Sequence, residues 1–342
     1  MYAAFFRQHG GPEVMETGEA PEPVAASGSV VVEVRAAALN HLDLWVRKGL
    51  PGLELDLPHI GGSDVAGVVA EVGPGVEGWE VGDRVAINPS LWCGECEWCD
   101  RGEHPLCVEF KILGEHVPGG TAERVRVAAR NLYRIPESLD FRVAAAAPLA
   151  YQTAWRALTN RGRLAAGESV LITGASGGVS TAAIQIARLL GARVLAVSSG
   201  PENVRRARET GADVVFDRLE GPFSDGVRAE TEGRGVDLVL DSVGEATWEQ
   251  CLRCLSRLGR LVTYGATTGP RGAVEIRHMF WKQISVSGST MGSRAEFEAV
   301  MDHVAAGDLS PVIGEVLPLS SIREAHQMLE DGEVFGKLVL EP

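Results

Sequence analysis

Four cysteines in one short segment are the residues whose types and spacing most clearly indicate chemistry. Four thiolates on one loop can close a tetrahedron around Zn²⁺ with no open position, the design of a structural rather than a catalytic site. An iron–sulfur run places its fourth cysteine nearer than this pattern, CxxCxxCx7C, does. Unligated thiols or disulfides are the alternatives. The spacing therefore predicts a structural zinc in a lobe of residues 90–110, bound by Cys93, Cys96, Cys99 and Cys107.

A glycine-rich turn is the second chemical signal. Gly174-Ala175-Ser176-Gly177-Gly178-Val179 follows an apolar run and precedes a helical pattern. Glycines allow backbone amides to approach a pyrophosphate closely, and the positive end of a helix favours the anion. This context predicts a dinucleotide site rather than a tight turn without a ligand. Ser180 stands where a third glycine usually permits close packing of the helix on the strand, so we expect a local adjustment there.

The end of the next predicted strand bears on the choice between NAD and NADP. An Asp or Glu about twenty residues after the glycines would bind the ribose hydroxyls and disfavour a 2′-phosphate. The strand ends instead in Val197-Ser198-Ser199. Ser198 and Ser199 offer hydroxyls to a phosphate, and Arg205 or Arg206 would either add charge or lie on the surface. The pattern weakly favours NADP(H) and leaves NAD(H) open.

The length and the composition restrict the class of protein. A chain of 342 residues exceeds what one core usually supports, and its 45% hydrophobic and 23% charged residues are typical of globular proteins. A formal charge of −14 disfavours nucleic acid or an anionic membrane as a partner. The chain start lacks a secretion signal, and no apolar run approaches the ~20 residues of a membrane span. We expect a cytoplasmic protein with a small-molecule substrate.

Two kinds of element must position these groups. Short β-rich runs broken by Gly and Pro extend from Ser29 to about Val127 and indicate an antiparallel barrel or sandwich. After about Ala144, apolar strands alternate with helical runs, which indicates a parallel sheet covered on both faces. The end, from Val312 to Val339, returns to strand character. We expect one domain of residues 1–150 and 287–342, and a dinucleotide-binding domain of residues 151–286.

The second domain also contains a second CxxC pair. Cys251 and Cys254 lie in the segment 248–258, where Leu252, Leu255 and Leu258 predict a helix packed on the sheet. We interpret these two cysteines as core residues. The strands predicted on this sheet are 193–198, 213–216, 236–241, 259–264 and 284–287, and the helices between them include 182–190 and 201–210.

The cysteine lobe followed by the glycine turn resembles the zinc alcohol dehydrogenases and quinone oxidoreductases of the medium-chain dehydrogenase/reductase superfamily. The resemblance covers essentially the whole chain. It implies an α/β fold, with a GroES-like β-barrel domain and a Rossmann doubly wound parallel sheet, and a substrate in the cleft between the domains. It also implies a homodimer or homotetramer paired through the last Rossmann strand. The matching motifs are Gly61 to Val69, Val81 to Val85, Gly174 to Val179, Asp241-Ser242-Val243-Gly244 and Gly336 to Leu340.

The positions of the family's catalytic zinc depart from its pattern. Zinc alcohol dehydrogenases use a cysteine in Cys-His-Ser/Thr-Asp, a histidine in Gly-His-Glu, and a third Cys, Asp or Glu. This chain has Asn40-His41-Leu42-Asp43, Gly62-Ser63-Asp64 and Pro148-Leu149-Ala150-Tyr151 at those places. A catalytic zinc of the usual kind is therefore not expected. Asn40 with Asp43 instead resembles the Asn-x-x-Asp segment of quinone oxidoreductases, in which the asparagine lies against the nicotinamide end of the cofactor.

Without a catalytic metal, the favoured substrates are those that delocalise the negative charge that develops during hydride transfer. Hydride removal from a saturated alcohol leaves charge on one oxygen, which a Lewis acid stabilises by several kcal/mol. A quinone or an enone spreads the charge over a conjugated system, so positioning and a few donors suffice. We therefore expect an NAD(P)H-dependent reductase of quinones, enones or aldehydes. One alternative is an alcohol dehydrogenase that binds a metal through His41, His59, Asp43 or Asp64, and another is a cofactor-binding protein without turnover.

The expected roles fall into two sets. Asn40 orients the nicotinamide ribose, and His41 or Tyr151 donates a hydrogen bond or a proton. The expected cofactor contacts are Thr153, Gly174, Ser176, Gly177, Gly178, Val179, Ser198, Ser199, Val243 and Gly265.

Overall fold

The computed structural model describes residues 1–342, and the chain divides into two units. The first consists of Met1–Ala150 and Gly292–Pro342, and the second is Tyr151–Met291. The chain thus returns to the first unit between residues 291 and 292, whereas the predicted boundary lies between residues 286 and 287. No helix is both long enough and apolar enough to cross a membrane.

Seventeen strands and eleven α-helices make up the two units. The strands are β1 (Tyr2–Phe6), β2 (Met15–Glu19), β3 (Ser29–Leu39), β4 (Asp64–Val72), β5 (Arg84–Ile87), β6 (Ser90–Leu91), β7 (Lys111–Ile112), β8 (Arg124–Ala128), β9 (Leu132–Arg134), β10 (Ser169–Ile172), β11 (Arg193–Ser198), β12 (Val214–Asp217), β13 (Val236–Asp241), β14 (Leu255–Thr263), β15 (Ser285–Gly288), β16 (Ile313–Pro318) and β17 (Lys337–Glu341). The helices are α1 (His41–Lys48), α2 (Glu97–Asp100), α3 (Phe141–Ala146), α4 (Pro148–Arg156), α5 (Gly178–Leu189), α6 (Pro201–Thr210), α7 (Phe223–Glu230), α8 (Trp248–Cys254), α9 (Ile276–Lys282), α10 (Arg294–Ala306) and α11 (Ile322–Asp331).

A seven-stranded sheet forms the centre of the first unit. Its order is β16-β17-β3-β4-β5-β9, and β8 also pairs with β3. All pairs are antiparallel except β16 with β17. Alternate residues of β3, Val30, Val32 and Val34, are buried in one apolar cluster with Val65 and Val85, as a period of two requires. The predicted antiparallel β domain is confirmed, and the C-terminal strand β17 joins it beside β3.

A six-stranded parallel sheet forms the second unit. Its order is β12-β11-β10-β13-β14-β15, and every neighbouring pair is parallel. The order reverses between β10 and β13, so the carboxyl ends of these strands border a crevice where such sheets bind ligands. Every residue of β10 is buried, as expected for a strand covered on both faces. The predicted doubly wound sheet is confirmed.

The helix predicted over 248–258 is wrong in its second half. Helix α8 ends at Cys254, and Leu255 begins β14, where it pairs with Val236 of β13. Leu258 has φ 59° and is 67% exposed, so it does not pack on the sheet. Leucines three residues apart suggested a helical face, whereas Leu255 is in fact the first buried residue of a strand. Cys251 and Cys254 are fully buried, as predicted.

Candidate active site and zinc lobe

The four lobe cysteines converge on one point. Their Sγ atoms all lie within 4.8 Å of one another. The individual Sγ–Sγ distances are 3.8 Å for Cys93 to Cys99, 3.6 Å for Cys96 to Cys99, and 3.5 Å for Cys107 to Cys93. A Zn–S bond of about 2.3 Å gives a tetrahedron with edges of about 3.8 Å. The sulfur positions therefore fit a zinc ion with four thiolate ligands.

Backbone amides face the same sulfur atoms. The N–H groups of Cys93 and Glu109 point at Cys107 Sγ over 3.3 and 3.4 Å, and Gly94 N–H points at Cys99 Sγ over 3.4 Å. Such donors stabilise the charge of thiolate ligands. Because all four positions of the tetrahedron are filled by sulfur, an ion bound here holds the loop and leaves no position for a substrate.

The glycine turn of the second unit joins β10 to α5. Gly174 adopts φ 60°, a left-handed conformation that glycine adopts without strain, and Gly177 N–H donates to its carbonyl over 2.9 Å. Gly177 caps α5, so the amides of Gly178, Val179 and Ser180 come first in the helix. These first-turn N–H groups have no partner within the helix and point off its positive end. The turn therefore fits the phosphates of a dinucleotide.

Ser180 replaces the expected third glycine with a specific contact. It is buried, and its hydroxyl donates to the Thr173 carbonyl over 2.9 Å and lies 3.1 Å from the Tyr264 hydroxyl. The serine thus ties the first turn of α5 to the end of β10. The adjustment expected at this position is a hydrogen bond between helix and strand.

Several other predicted cofactor contacts follow the carboxyl ends of strands of the parallel sheet. A Cβ on Gly174 would lie 3.4 Å from Val243, and one on Gly265 would lie 2.9 Å from the Ser242 carbonyl. These close approaches bring together the ends of β10, β13 and β14. Ser198 ends β11 with a buried hydroxyl that has no hydrogen-bond partner, and Ser199 follows it. Thr153 is buried on α4, and Ser176 lies within the turn itself.

In the first unit, Asn40, Asp64 and Lys337 form a buried hydrogen-bonded network. The Lys337 ammonium donates to Asn40 Oδ1 over 2.5 Å and to Asp64 Oδ2 over 2.8 Å. Asn40 Nδ2 donates to the same Asp64 oxygen over 3.0 Å, and Leu149 N–H donates to Asp64 Oδ1 over 2.7 Å. Lys337 is 3% exposed and Asp64 fully buried. The second N–H of Asn40 is left to donate to a ligand.

Asp43 braces the backbone next to this network. Its carboxylate accepts from Asn40 N–H over 2.7 Å and from Gly62 N–H over 2.9 Å. Burial raises the pKa of Asp43 to about 6, against the lowering effect of those two amides. The aspartate thus joins the start of α1 to the segment before β4.

Three of the side chains that could bind a catalytic metal, Asp43, Asp64 and His59, already make hydrogen bonds. Both oxygens of Asp43 and both of Asp64 accept hydrogen bonds. His59 Nε2 lies 3.0 Å from the Gly114 carbonyl, and Ser63 is buried with a hydroxyl that makes no hydrogen bond. A group of three or more side chains that could bind a metal ion is formed by the lobe cysteines. These contacts weaken the alternative of a metal bound by His41, His59, Asp43 or Asp64.

The two predicted hydrogen-bond donors differ in accessibility. His41 is exposed at the start of α1, and desolvation by the surrounding protein, with the charge of Lys337, lowers its pKa. Its ring is therefore neutral at pH 7 and donates one N–H. Tyr151 is 1% exposed, its hydroxyl is enclosed, and burial raises its pKa. His41 is the one of the two that a ligand can reach.

Lys337 is the site residue that sequence reasoning missed. It lies in the Gly336-Lys337-Leu338 motif, which was recognised without a role for the lysine. Its signal was a lysine at the start of a largely apolar strand, Lys337–Glu341, where a buried charge needs a partner. Nothing local identifies that partner, because Asn40 is 297 residues away along the chain.

Comparison with known proteins identifies the family. Residues 26–137 match the alcohol dehydrogenase GroES-like domain, and residues 178–306 match the zinc-binding dehydrogenase domain. The chain is 32% identical to the quinone oxidoreductase of Homo sapiens over 97% of this chain and 95% of that protein. It is 31% identical to the acryloyl-coenzyme A reductase of Metallosphaera sedula over 95% and 96%. A crystal structure described as NAD-dependent alcohol dehydrogenase superposes with a TM-score of 0.97, at 44% identity over 100% of both chains.

The chain therefore belongs to the zinc-containing alcohol dehydrogenase and quinone oxidoreductase family of medium-chain dehydrogenases/reductases. It is an oxidoreductase of the NAD(P)-dependent type. The predicted pairing of a GroES-like domain with a Rossmann domain is confirmed.

Proposed function

We propose that this chain is an NAD(P)H-dependent reductase of quinones, enones or aldehydes that works without a catalytic zinc. The observation that carries the proposal is the buried network of Asn40, Asp64 and Lys337. An ammonium ion between Asn40 and Asp64 repels a second cation and occupies the oxygens that such a cation would bind. Hydride addition to a conjugated carbonyl needs less stabilisation of a localised charge than alcohol oxidation does.

Each site residue has a role in this proposal. The bound nicotinamide supplies or takes the hydride. Asn40, held by Lys337 and Asp64, directs its remaining N–H at the nicotinamide ribose, and His41 donates a hydrogen bond to the substrate. Tyr151 is enclosed, so we assign the donor role to His41 rather than to Tyr151. Thr153 and the glycine turn bind the cofactor, and the lobe cysteines hold a structural zinc.

The names of the relatives support two substrate classes. The quinone oxidoreductase and the acryloyl-coenzyme A reductase are named for conjugated carbonyl substrates, in agreement with the proposal. The NAD-dependent alcohol dehydrogenase is named for alcohols, which keeps alcohol oxidation as the second candidate.

A panel of substrates tests the proposed function. Initial rates of NADPH and NADH oxidation are measured with 1,4-benzoquinone, 2-cyclohexen-1-one and benzaldehyde, and the reverse reaction with benzyl alcohol. We expect the quinone or the enone to give the highest kcat/KM. A chelator that leaves the lobe zinc in place should not lower this value. Faster oxidation of benzyl alcohol, abolished by the chelator, would favour the metal-dependent dehydrogenase, and no turnover of any substrate would favour a binding protein.

We further propose a preference for NADP(H), based on Arg218. Arg205 shares its charge with Glu202 and Glu209, so it is not free for a phosphate. Arg218 is exposed and forms no ion pair, and its backbone N–H donates to the Ser198 carbonyl over 3.0 Å, next to the end of β11. The neighbouring carboxylate of Asp217 is engaged by the amides of Gly200 and Leu219.

Replacing Arg218 by alanine is expected to raise KM for NADPH about tenfold, equivalent to about 1.4 kcal/mol, and to leave KM for NADH unchanged. The physical reason is the loss of the cation that faces a 2′-phosphate. Arg253→Ala, on the exposed side of α8, serves as the matched control. An equal change in KM for NADPH and NADH, or no change in either, would contradict the preference for NADP(H).

We propose that the protein is a homodimer or homotetramer in the cytoplasm. Strand β15 lies at the edge of its sheet with one side unpaired. On α9, Ile276, Phe280 and Trp281 are 61–73% exposed, an apolar patch typical of interfaces. Sedimentation equilibrium is expected to give two or four times the chain mass of 36.4 kDa; a monomer would contradict the proposal.

A further inference from the structure

A series of hydrogen-bonded hydroxyl groups lies beside the glycine turn of the second unit. The Ser180 hydroxyl donates to the Thr173 carbonyl over 2.9 Å and lies 3.1 Å from the Tyr264 hydroxyl. Because Ser180 has one hydroxyl proton and gives it to Thr173, the Tyr264 hydroxyl is the donor in the second contact. Ser242 also forms a hydrogen bond with the Tyr264 side chain, and Ser242 is the donor because the tyrosine proton is engaged. The bonds of this hydroxyl chain therefore run in one direction, from Ser242 through Tyr264 and Ser180 to the Thr173 carbonyl.

The hydroxyl chain joins three strand ends of the parallel sheet. Thr173, Ser242 and Tyr264 follow the last residues of β10, β13 and β14, and Ser180 lies in the first turn of α5. A Cβ on Gly174 would lie 3.7 Å from Ser242 Oγ and 4.0 Å from Ser180 Oγ. Sheets of this type bind ligands at the carboxyl ends of their strands. The hydroxyl chain is thus in contact with the turn predicted to bind the cofactor.

Asp241 fixes the loop that carries Ser242. Its fully buried carboxylate accepts from the Thr173 hydroxyl over 2.6 Å and from Gly244 N–H over 2.9 Å. The segment 242–244 is therefore attached to the end of β10. Tyr264 then connects this segment to α5 through the hydroxyl chain.

The first turn of α5 carries the amides that are predicted to face the phosphates. The N–H groups of Gly178 and Val179 have no partner within the helix, so their direction depends on how firmly this turn is held. Ser180 belongs to the same turn. The Tyr264 hydroxyl keeps its proton at neutral pH because burial raises its pKa. Each bond in such a chain polarises the next, so the loss of one member weakens the others.

We propose that Tyr264 is a positioning residue for the dinucleotide and acts through Ser180, an inference that rests on the proposed binding of the cofactor at the glycine turn. Tyr264 holds the first turn of α5 against β10, so the amides are in place before the phosphates arrive. A site ordered in advance loses less entropy on binding. The glycine that usually stands at position 180 has no side chain for this bond, so the serine and the tyrosine function as a pair.

A double-mutant cycle with Tyr264→Phe and Ser180→Ala tests the pair. The Kd of NADPH is measured from nucleotide fluorescence on the purified protein without substrate. Tyr264→Phe is expected to raise Kd about fivefold, the effect of one hydrogen bond, and Ser180→Ala at least as much because it also loses the bond to Thr173. Adding Tyr264→Phe to Ser180→Ala should then change Kd by less than about twofold, because the contact that it removes is already lost.

Two matched controls remove hydroxyls of the same kind elsewhere. Tyr133→Phe removes a hydroxyl that donates to Asp302 over 2.5 Å in the first unit. Ser169→Ala removes a hydroxyl at the opposite end of β10, where it donates to Asp237 over 2.8 Å. Both variants are expected to keep the wild-type Kd, even where their melting temperature falls.

Steady-state kinetics with 2-cyclohexen-1-one and the melting temperature separate positioning from a structural role. In Tyr264→Phe the KM for NADPH should rise about fivefold, while kcat at saturating NADPH changes by less than about twofold. A Tyr264→Phe protein with a lower melting temperature but the wild-type Kd would overturn the role, and so would fully additive effects in the double variant. A wild type that binds neither NADPH nor NADH would overturn the cofactor site itself.

Discussion

Lys337→Met is expected to lower the free energy of unfolding by about 3–5 kcal/mol, because it leaves the Asp64 carboxylate buried without its cation. It is also expected to lower kcat about 100-fold, since Asn40 loses the bond at Oδ1 that orients its amide. Chemical denaturation and steady-state kinetics measure the two effects. Lys48→Met, at a half-exposed ion pair, should change stability by less than about 1 kcal/mol.

A double variant separates stability from positioning. In Lys337→Met with Asp64→Leu, no uncompensated charge remains, so much of the lost stability should return. The kcat should stay low, because neither partner of Asn40 is restored. Recovery of full turnover in the double variant, or a Lys337→Met enzyme as stable and active as the wild type, would show that the network does not position Asn40.

Cys99→Ser is expected to remove the zinc from the lobe and to unfold residues 90–110 locally. Cys99 Sγ contacts the sulfurs of both Cys93 and Cys96 and faces Gly94 N–H, so its loss opens the tetrahedron. Zinc binding to small four-ligand sites contributes about 10–16 kcal/mol to their folding, and two short strands and one turn of helix cannot replace it. Zinc analysis and limited proteolysis measure the change.

The buried thiol of Cys251 provides the control for this experiment. Cys251→Ala alters a fully buried cysteine on α8 and should keep one zinc per chain and an intact lobe. Retention of zinc by Cys99→Ser, or cleavage outside the lobe in both variants, would refute the assignment of this cluster as the structural metal site.

Local patterns were sufficient to predict most of the fold. The runs that became β11, α6 and β13 have the bounds predicted from the sequence. Strands β11 and β13 bury nearly all of their residues, as a continuous apolar run predicts. The helix predicted over 248–258 was wrong in its second half. Leucines at intervals of three residues fit a helix, but in this half of the segment they belong to a strand. Only the pairing of Leu255 with Val236 distinguishes the two, and that contact is not local.

The candidate site was predictable wherever its residues are close in sequence. The lobe cysteines and the glycine turn each lie within one short segment, so spacing alone identified them. The network of Asn40, Asp64 and Lys337 joins three distant parts of the chain, and its role depends on a buried charge pair that no local pattern encodes.

Zinc stoichiometry of the fully active enzyme, measured by anomalous scattering at the zinc edge in cofactor-bound crystals, tests the central claim most directly. Hydride transfer without a catalytic metal predicts one zinc per chain, at the lobe sulfurs, with the Lys337 ammonium between Asn40 and Asp64. A second zinc peak beside residues 40 and 63, in a protein that reduces the enone, would contradict it.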